Sequence, residues 1–197
     1  MYKRQTQLAK LRQISSCLAM QDGKSTFFEE PGRNPKLQAV LDVLDGGSNK
    51  AIVIHFHKAT GDLLMTELHR HGLRPARIQG DVKPDEITAE KHRFNTDPEC
   101  RVLVGQESAT ARGHTLIGGS GSDRCTRMLM FEQSYSLMER LQVEDRIHRG
   151  AQDQPCEYFD FVISPIDAAI IKALQTKKAM ADAMDAVVAV VRSELRS

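Results

Sequence analysis

No sign of charge dominates this chain: 27 basic residues face 26 acidic ones over 197 positions, a formal charge of +1. The overall balance therefore neither demands nor excludes a polyanionic partner, and only local distribution can decide. No apolar run approaches the roughly 18 residues of a membrane-spanning helix, so no membrane partner is expected. The opening MYKRQTQLAKLRQ also lacks the apolar stretch of an export signal. The four cysteines, Cys17, Cys100, Cys125 and Cys156, form no C-x-x-C pair, which argues against a zinc ribbon or a disulfide framework and points to a reducing, cytoplasmic setting. There is no internal repeat and no low-complexity tract. A phosphate-binding G-x-x-x-x-G-K-[ST] loop is absent too: Gly23 to Thr26 reads GKST, but Leu18 stands where the first glycine is required.

At 41% apolar and 27% charged the composition is that of an ordinary globular protein. Its length suits one domain of the usual size of about 150 residues with an appendage. Residues 3–20 read as a basic amphipathic helix, with Leu8, Leu11, Ile14 and Leu18 at helical spacing, followed by a loop over QDGKSTFFEEPGRN. The first 36 residues carry seven basic and three acidic side chains, a local +4 that suits a DNA-facing surface or the solvated face of a packing helix. Asn34 and Pro35 then read as the N-cap and first turn of a second helix, PKLQAVLDVLD, stopped by Gly46 and Gly47.

From there strands and helices alternate. AIVIHF is a buried-strand run, with a helix after it from a Thr60 cap through DLLMTELHRH to Gly72. RPARIQG, RVLVG, RMLMFE and CEYFDFVI read as further strands, PDEITAEKHRFN and SLMERLQVEDRIHR as helices, and 106–122 as a Ser/Thr/Gly-rich loop. About five strands with intervening helices predict an α/β fold, a mainly parallel sheet covered on both faces with functional loops at the strands' carboxyl ends. From Pro165 a long helix carries an apolar stripe through Ile166, Ile170, Leu174, Met180, Met184, Val187 and Val191. The expected divisions are 1–34, 35–165 and 166–197.

Candidate chemistry is concentrated in QVEDRIHRGAQ. On a helix Arg146 and Arg149 are three apart and share a face, where two guanidiniums can reach one anion, with Glu144 and Asp145 placed to orient or neutralise them. The alternative is a solvated charged face. His55 with His57, and His69 with His71, have alternate spacing, but no third ligand is placed and no metal site is assigned.

The order Q-x-x-D-R-x-H-R-x-x-Q resembles motif VI of the Swi/Snf-type branch of superfamily-two helicases and translocases. KAIVIHFHKATGDLL resembles the motif IV strand and helix of that family, and RIQGDV with the helix ending in RFN resembles its next block. RVLVGQESATARGHTL is similar to motif V, and SPIDAAIIKALQTKKAMADAM to the closing helix, particularly in bacterial and phage versions. The blocks follow the family order over about residues 35 to 185. Departures are HRGAQ in place of HRIGQ and a glycine-poor motif V with Ala109, Thr110, Ala111 and Arg112.

The resemblance implies a RecA-like three-layer sandwich with N-terminal and long C-terminal helices. It implies the C-terminal lobe of an ATP-dependent DNA helicase or translocase, inactive without the first lobe, which carries the P-loop and holds most of ATP and Mg2+ and is present in cis or in trans. Arg146 and Arg149 would be arginine fingers, with Gln142, Asp145 and Gly113 also at the nucleotide. His57, Lys58, Thr60, Gly80, Gln106, Ser108, Thr110 and Arg112 would contact DNA phosphates independently of sequence. A non-catalytic nucleic-acid-binding or scaffold module that kept the fold is the other open reading.

Overall fold

The computed structural model describes residues 13, 15, 16, 18–21, 24–27, 34–113, 115–149 and 152–194, with side chains for all but 18–21, 24–27 and 186–194. Its centre is a five-stranded, wholly parallel sheet in the order β4-β5-β3-β6-β7, made of β3 (Lys50–His55), β4 (Ala76–Ile78), β5 (Val102–Gln106), β6 (Cys125–Met130) and β7 (Glu157–Asp160). The three inner strands carry the apolar runs because both of their faces are covered. Alternation along β3 divides the core: Ile52 and Ile54 face one layer, Ala51 and Val53 the other.

On the Ala51 face lie α1 (Pro35–Asp45), through Leu37, Val40, Leu41 and Leu44, and α2 (Lys58–Arg70), through Leu64 and Leu68. On the Ile52 face lie α3 (Pro84–Thr96), through Ile87 and Phe94, and α5 (Leu137–Glu144), through Val143. Between β5 and β6 the chain forms the short α4 (Glu107–Thr110) and a 3-10 turn at Gly121–Asp123, so the expected loop is partly helical. The long α6 (Pro165–Glu194) buries Ile170 and Leu174 near its start. None of the helices among the described residues is long and apolar enough to cross a membrane.

The N-cap reading of α1 holds: Asn34 Oδ1 accepts from Leu37 N at 3.1 Å, and Pro35 opens the helix. Four sequence expectations are corrected. The helix expected over 3–20 does not extend to its end, because Leu18–Gln21 is a strand, β1, paired antiparallel with β2 (Lys24–Phe27); residues 1–12 lie outside the described residues. The register sets Gln21 opposite Lys24, and this antiparallel pairing overrides the helical spacing of the leucines. Likewise, Lys24, Ser25 and Thr26 of GKST lie in the strand β2 and not in a loop.

Thr60 is not the cap of α2. His57 occupies that position and Thr60 lies in the first turn, since its hydroxyl has a distant partner described below. Finally, α5 stops at Glu144, and Asp145 to Arg149 form turns past its end, so the two arginines do not share a helical face. Burial of Ile147 in the core, at 0% exposure, draws the backbone off the helical path.

Candidate functional site

Two groups of candidate residues lie at opposite ends of the sheet. The arginine loop is tied to the amino end of β6: Gln152 Nε2 donates to the carbonyls of Cys125, the first residue of β6, at 2.8 Å and of Ile147 at 3.0 Å, and Gln152 N donates to Arg149 O at 2.7 Å. Leu116 N donates to Arg146 O at 3.3 Å, which docks the end of the motif V-like segment onto the same loop. This placement departs from the expectation that all functional loops gather at carboxyl ends.

Each arginine caps a carbonyl four residues back, Arg146 Nε on Gln142 O at 2.7 Å and Arg149 Nε on Asp145 O at 3.3 Å. Cations there complement the carboxyl end of α5. Arg146 is 6% exposed, whereas the Arg149 side chain is 37% exposed and meets Asp145 Oδ2 at 3.2 Å. Burial lowers the pKa of Arg146, and the charge of Arg149 lowers it further. Two cations that feel one another's charge, with Asp145 beside them, form a donor set that fits a polyphosphate. Gln142 and Asp145 are exposed; Gly113, at φ 61°, is exposed in a backbone conformation that suits glycine. Gly150 and Ala151 lie outside the described residues.

The expected phosphate-contacting residues gather at the carboxyl ends of β3, β4 and β5. Gln106 links all three loops, its Oε1 accepting from Gly80 N at 3.0 Å and its Nε2 donating to Phe56 O at 3.3 Å. Lys58 is exposed, 3.4 Å from Asp81 Oδ2. Gly80 and Arg112 are exposed, and Ser108 is half-buried. Thr60 and Thr110 depart from the expectation: both are fully buried, Thr60 donating to a carboxylate and Thr110 lying against Gly105, where an added Cβ would come within 2.4 Å of its hydroxyl. His55 is also fully buried, its Nδ1 3.0 Å from the His57 carbonyl and its ring against Gly61, and burial lowers its pKa.

Sequence reasoning missed Glu132. It follows β6, is 5% exposed, and its carboxylate accepts from Phe56 N at 2.7 Å, His57 N at 2.8 Å and Thr60 Oγ1 at 2.8 Å, with His57 Nδ1 3.1 Å away. Burial pushes its pKa up, but hydrogen bonding and charge from His57, with a further bond from Ser16, hold it down to about 2. Its signal was a single acidic residue closing the apolar run MLMF at a strand's carboxyl end.

No protein-family model matches the chain. Helicase SWR1 of Yarrowia lipolytica is 26% identical over 167 residues, covering 84% of this chain and 9% of that protein. The probable global transactivator of Orgyia pseudotsugata multicapsid polyhedrosis virus is 26% identical over 184 residues, covering 87% and 36%. Human lymphoid-specific helicase is 24% identical over 143 residues, covering 72% and 16%. Among solved structures, the C-terminal part of the Fun30 ATPase domain superposes with a TM-score of 0.67 at 17% identity, covering 74% of this chain and 46% of that one. S. cerevisiae Dbp5 bound to RNA and ADP BeF3 superposes at 0.61 with 16% identity, covering 72% and 35%.

The fold is RecA-like. In sequence the chain is similar to Swi/Snf-type helicases over most of its length, while it spans less than two fifths of each relative named here. Those relatives come from a yeast, human and a virus bearing the name polyhedrosis virus, so they give no support to the expected bacterial or phage branch.

Proposed function

We propose that this chain is the second RecA-like lobe of an ATP-dependent DNA helicase or translocase, and that it is inactive without a P-loop lobe supplied in cis or in trans. The observation that supports this most is the arginine loop, pinned by Gln152 and Leu116, with the Arg149 guanidinium reaching solvent in a chain similar to helicases. ATP with Mg2+, held chiefly by the P-loop lobe, supplies the phosphoryl group whose transfer spreads negative charge over the γ-phosphate oxygens. Arg149 answers that charge, and Arg146 adds positive potential behind it. Asp145 holds Arg149 back from other anions until the lobes close, and closure couples hydrolysis to domain motion. The preference for DNA over RNA rests on the resemblance.

Nucleic acid crosses the carboxyl ends of β3 to β5, where His57, Lys58, Gly80, Gln106, Ser108 and Arg112 lie on adjoining loops. Contacts to phosphates are independent of sequence, which a motor moving along a strand requires. The deciding experiment measures ATP hydrolysis by this chain alone and mixed with a P-loop lobe, with and without duplex DNA. Hydrolysis only in the mixture, stimulated by DNA, is expected. Hydrolysis in neither sample overturns the proposal in favour of a non-catalytic nucleic-acid-binding or scaffold module.

A further inference from the structure

In the strand order β4-β5-β3-β6-β7, the chain leaves β3 toward β4 and leaves β6 toward β7, in opposite directions along the sheet. Adjacent strands whose loops diverge open a crevice at their carboxyl ends, the usual ligand position in an open α/β sheet. Here the crevice holds the chain's own Glu132 carboxylate. It lies at the amino end of α2, where backbone amides and the helix dipole favour an anion, and receives Phe56 N, His57 N and the Thr60 hydroxyl.

The same carboxylate takes one ring nitrogen of His57, Nδ1, at 3.1 Å. The other, Nε2, has no partner among the described residues, and the side chain is 19% exposed. Phe56 buttresses the imidazole edge-on, with ring centroids 5.0 Å apart. Lys58, next in the chain, carries a 55% exposed side chain. A phosphate approaching this corner thus meets an ammonium and an imidazole whose orientation is fixed from inside.

We infer that Glu132 is a positioning residue for nucleic-acid binding: it clamps the corner between β3 and α2 and aims His57 Nε2, beside Lys58 Nζ, at a backbone phosphate. The inference rests on the nucleic-acid role proposed above. The charged and titratable groups around His57 are Glu132 after β6, Lys58 on α2 with Asp81 Oδ2 at 3.4 Å from its ammonium, and Asp167 on α6, which lines the same small cavity and is paired with Lys36 of α1 at 3.0 Å. His55, whose Nδ1 meets the His57 carbonyl, is buried with a lowered pKa. Only the protonated imidazole donates from Nε2 while Nδ1–H is held by the carboxylate, which makes the phosphate contact charge-assisted.

The test measures binding of a short fluorescein-labelled DNA duplex by anisotropy at one pH and fixed ionic strength. The proteins compared are the native chain, His57→Gln, Glu132→Gln and the double variant, each checked for folding by circular dichroism. His57→Gln weakens binding roughly three- to tenfold, the size expected for losing one contact to a phosphate. Glu132→Gln weakens it by a similar factor in the native background and by less than about twofold in the His57→Gln background, because it acts through the imidazole.

A purely structural role for Glu132 would weaken binding by the same factor in both backgrounds, and that result overturns this inference. If Glu132→Gln does not fold, the His57→Gln affinity decides alone. Native affinity in His57→Gln overturns this inference and leaves the nucleic-acid reading standing. No binding of the native chain overturns that reading, and this inference with it.

Discussion

A buried carboxylate survives as an anion only when hydrogen bonds and charge outweigh its lost hydration, and Glu132 meets that condition with donors from the turn after β3, from α2 and from the amino-terminal segment. Its pKa falls from 4.5 to about 2, so the folded state binds fewer protons than the unfolded chain between those limits. Its stabilising contribution is therefore complete above about pH 4.5 and is lost as pH falls toward about 2. Denaturant titrations across that window should show a decline on the order of 3 kcal/mol from this group, which Glu132→Gln removes. Equal pH slopes for the two proteins would show that the carboxylate is not held as described. His55 acts at higher pH and in the same direction: its depressed pKa makes stability fall once pH drops below 6.5. Residue-scale chemistry of this kind was the least legible in the sequence. Thr60 reads as a helix cap because nothing local shows that its hydroxyl meets a carboxylate 72 positions away.

At the scale of elements, the Lys36–Asp167 pair fastens α1 to the start of α6, with side chains only 1% and 10% exposed. Asp167 also accepts from Ile163 N, Ser164 N and Ser164 Oγ, so the carboxylate caps α6 while it binds the ammonium. Removing the cation strands a buried charge, and Lys36→Met should cost about 3 kcal/mol in urea unfolding. Adding Asp167→Asn should recover part of that loss, because an amide needs no counter-ion yet still offers the cap an oxygen. A neutral Lys36→Met would show that the pair contributes nothing. Elements defined by local signals were legible: the Asn34 cap, the stop at Gly46, and the apolar runs of β3, β5 and β6. Elements whose ends depend on distant packing were not. Ile147 is pulled into the core and ends α5 at Glu144, although periodicity carries the helix through the arginines.

For the whole molecule, the sheet separates the two proposed sites: candidate phosphate contacts for nucleic acid lie at the carboxyl ends of β3 to β5, and the arginine loop is anchored at the amino end of β6. The motif order in the sequence made both groups visible but could not show that they lie at opposite ends, since that follows from the turn after α5 and its Gln152 anchor. On the proposed roles, this separation makes the two activities independently removable. Arg149 is half exposed, and its bonds are to its own turn, so replacing it disturbs no core packing. In a mixture with a P-loop lobe, Arg149→Ala should lower ATP hydrolysis at least about a hundredfold, in line with the effect of a positioned arginine on phosphoryl transfer. DNA affinity of the same variant should stay within about twofold of the native value, because its charge lies far from the nucleic-acid loops and is screened over such distances. A loss of hydrolysis below about threefold would remove the finger assignment. Equal losses of hydrolysis and DNA binding would mean that the two ends of the sheet are not separate sites.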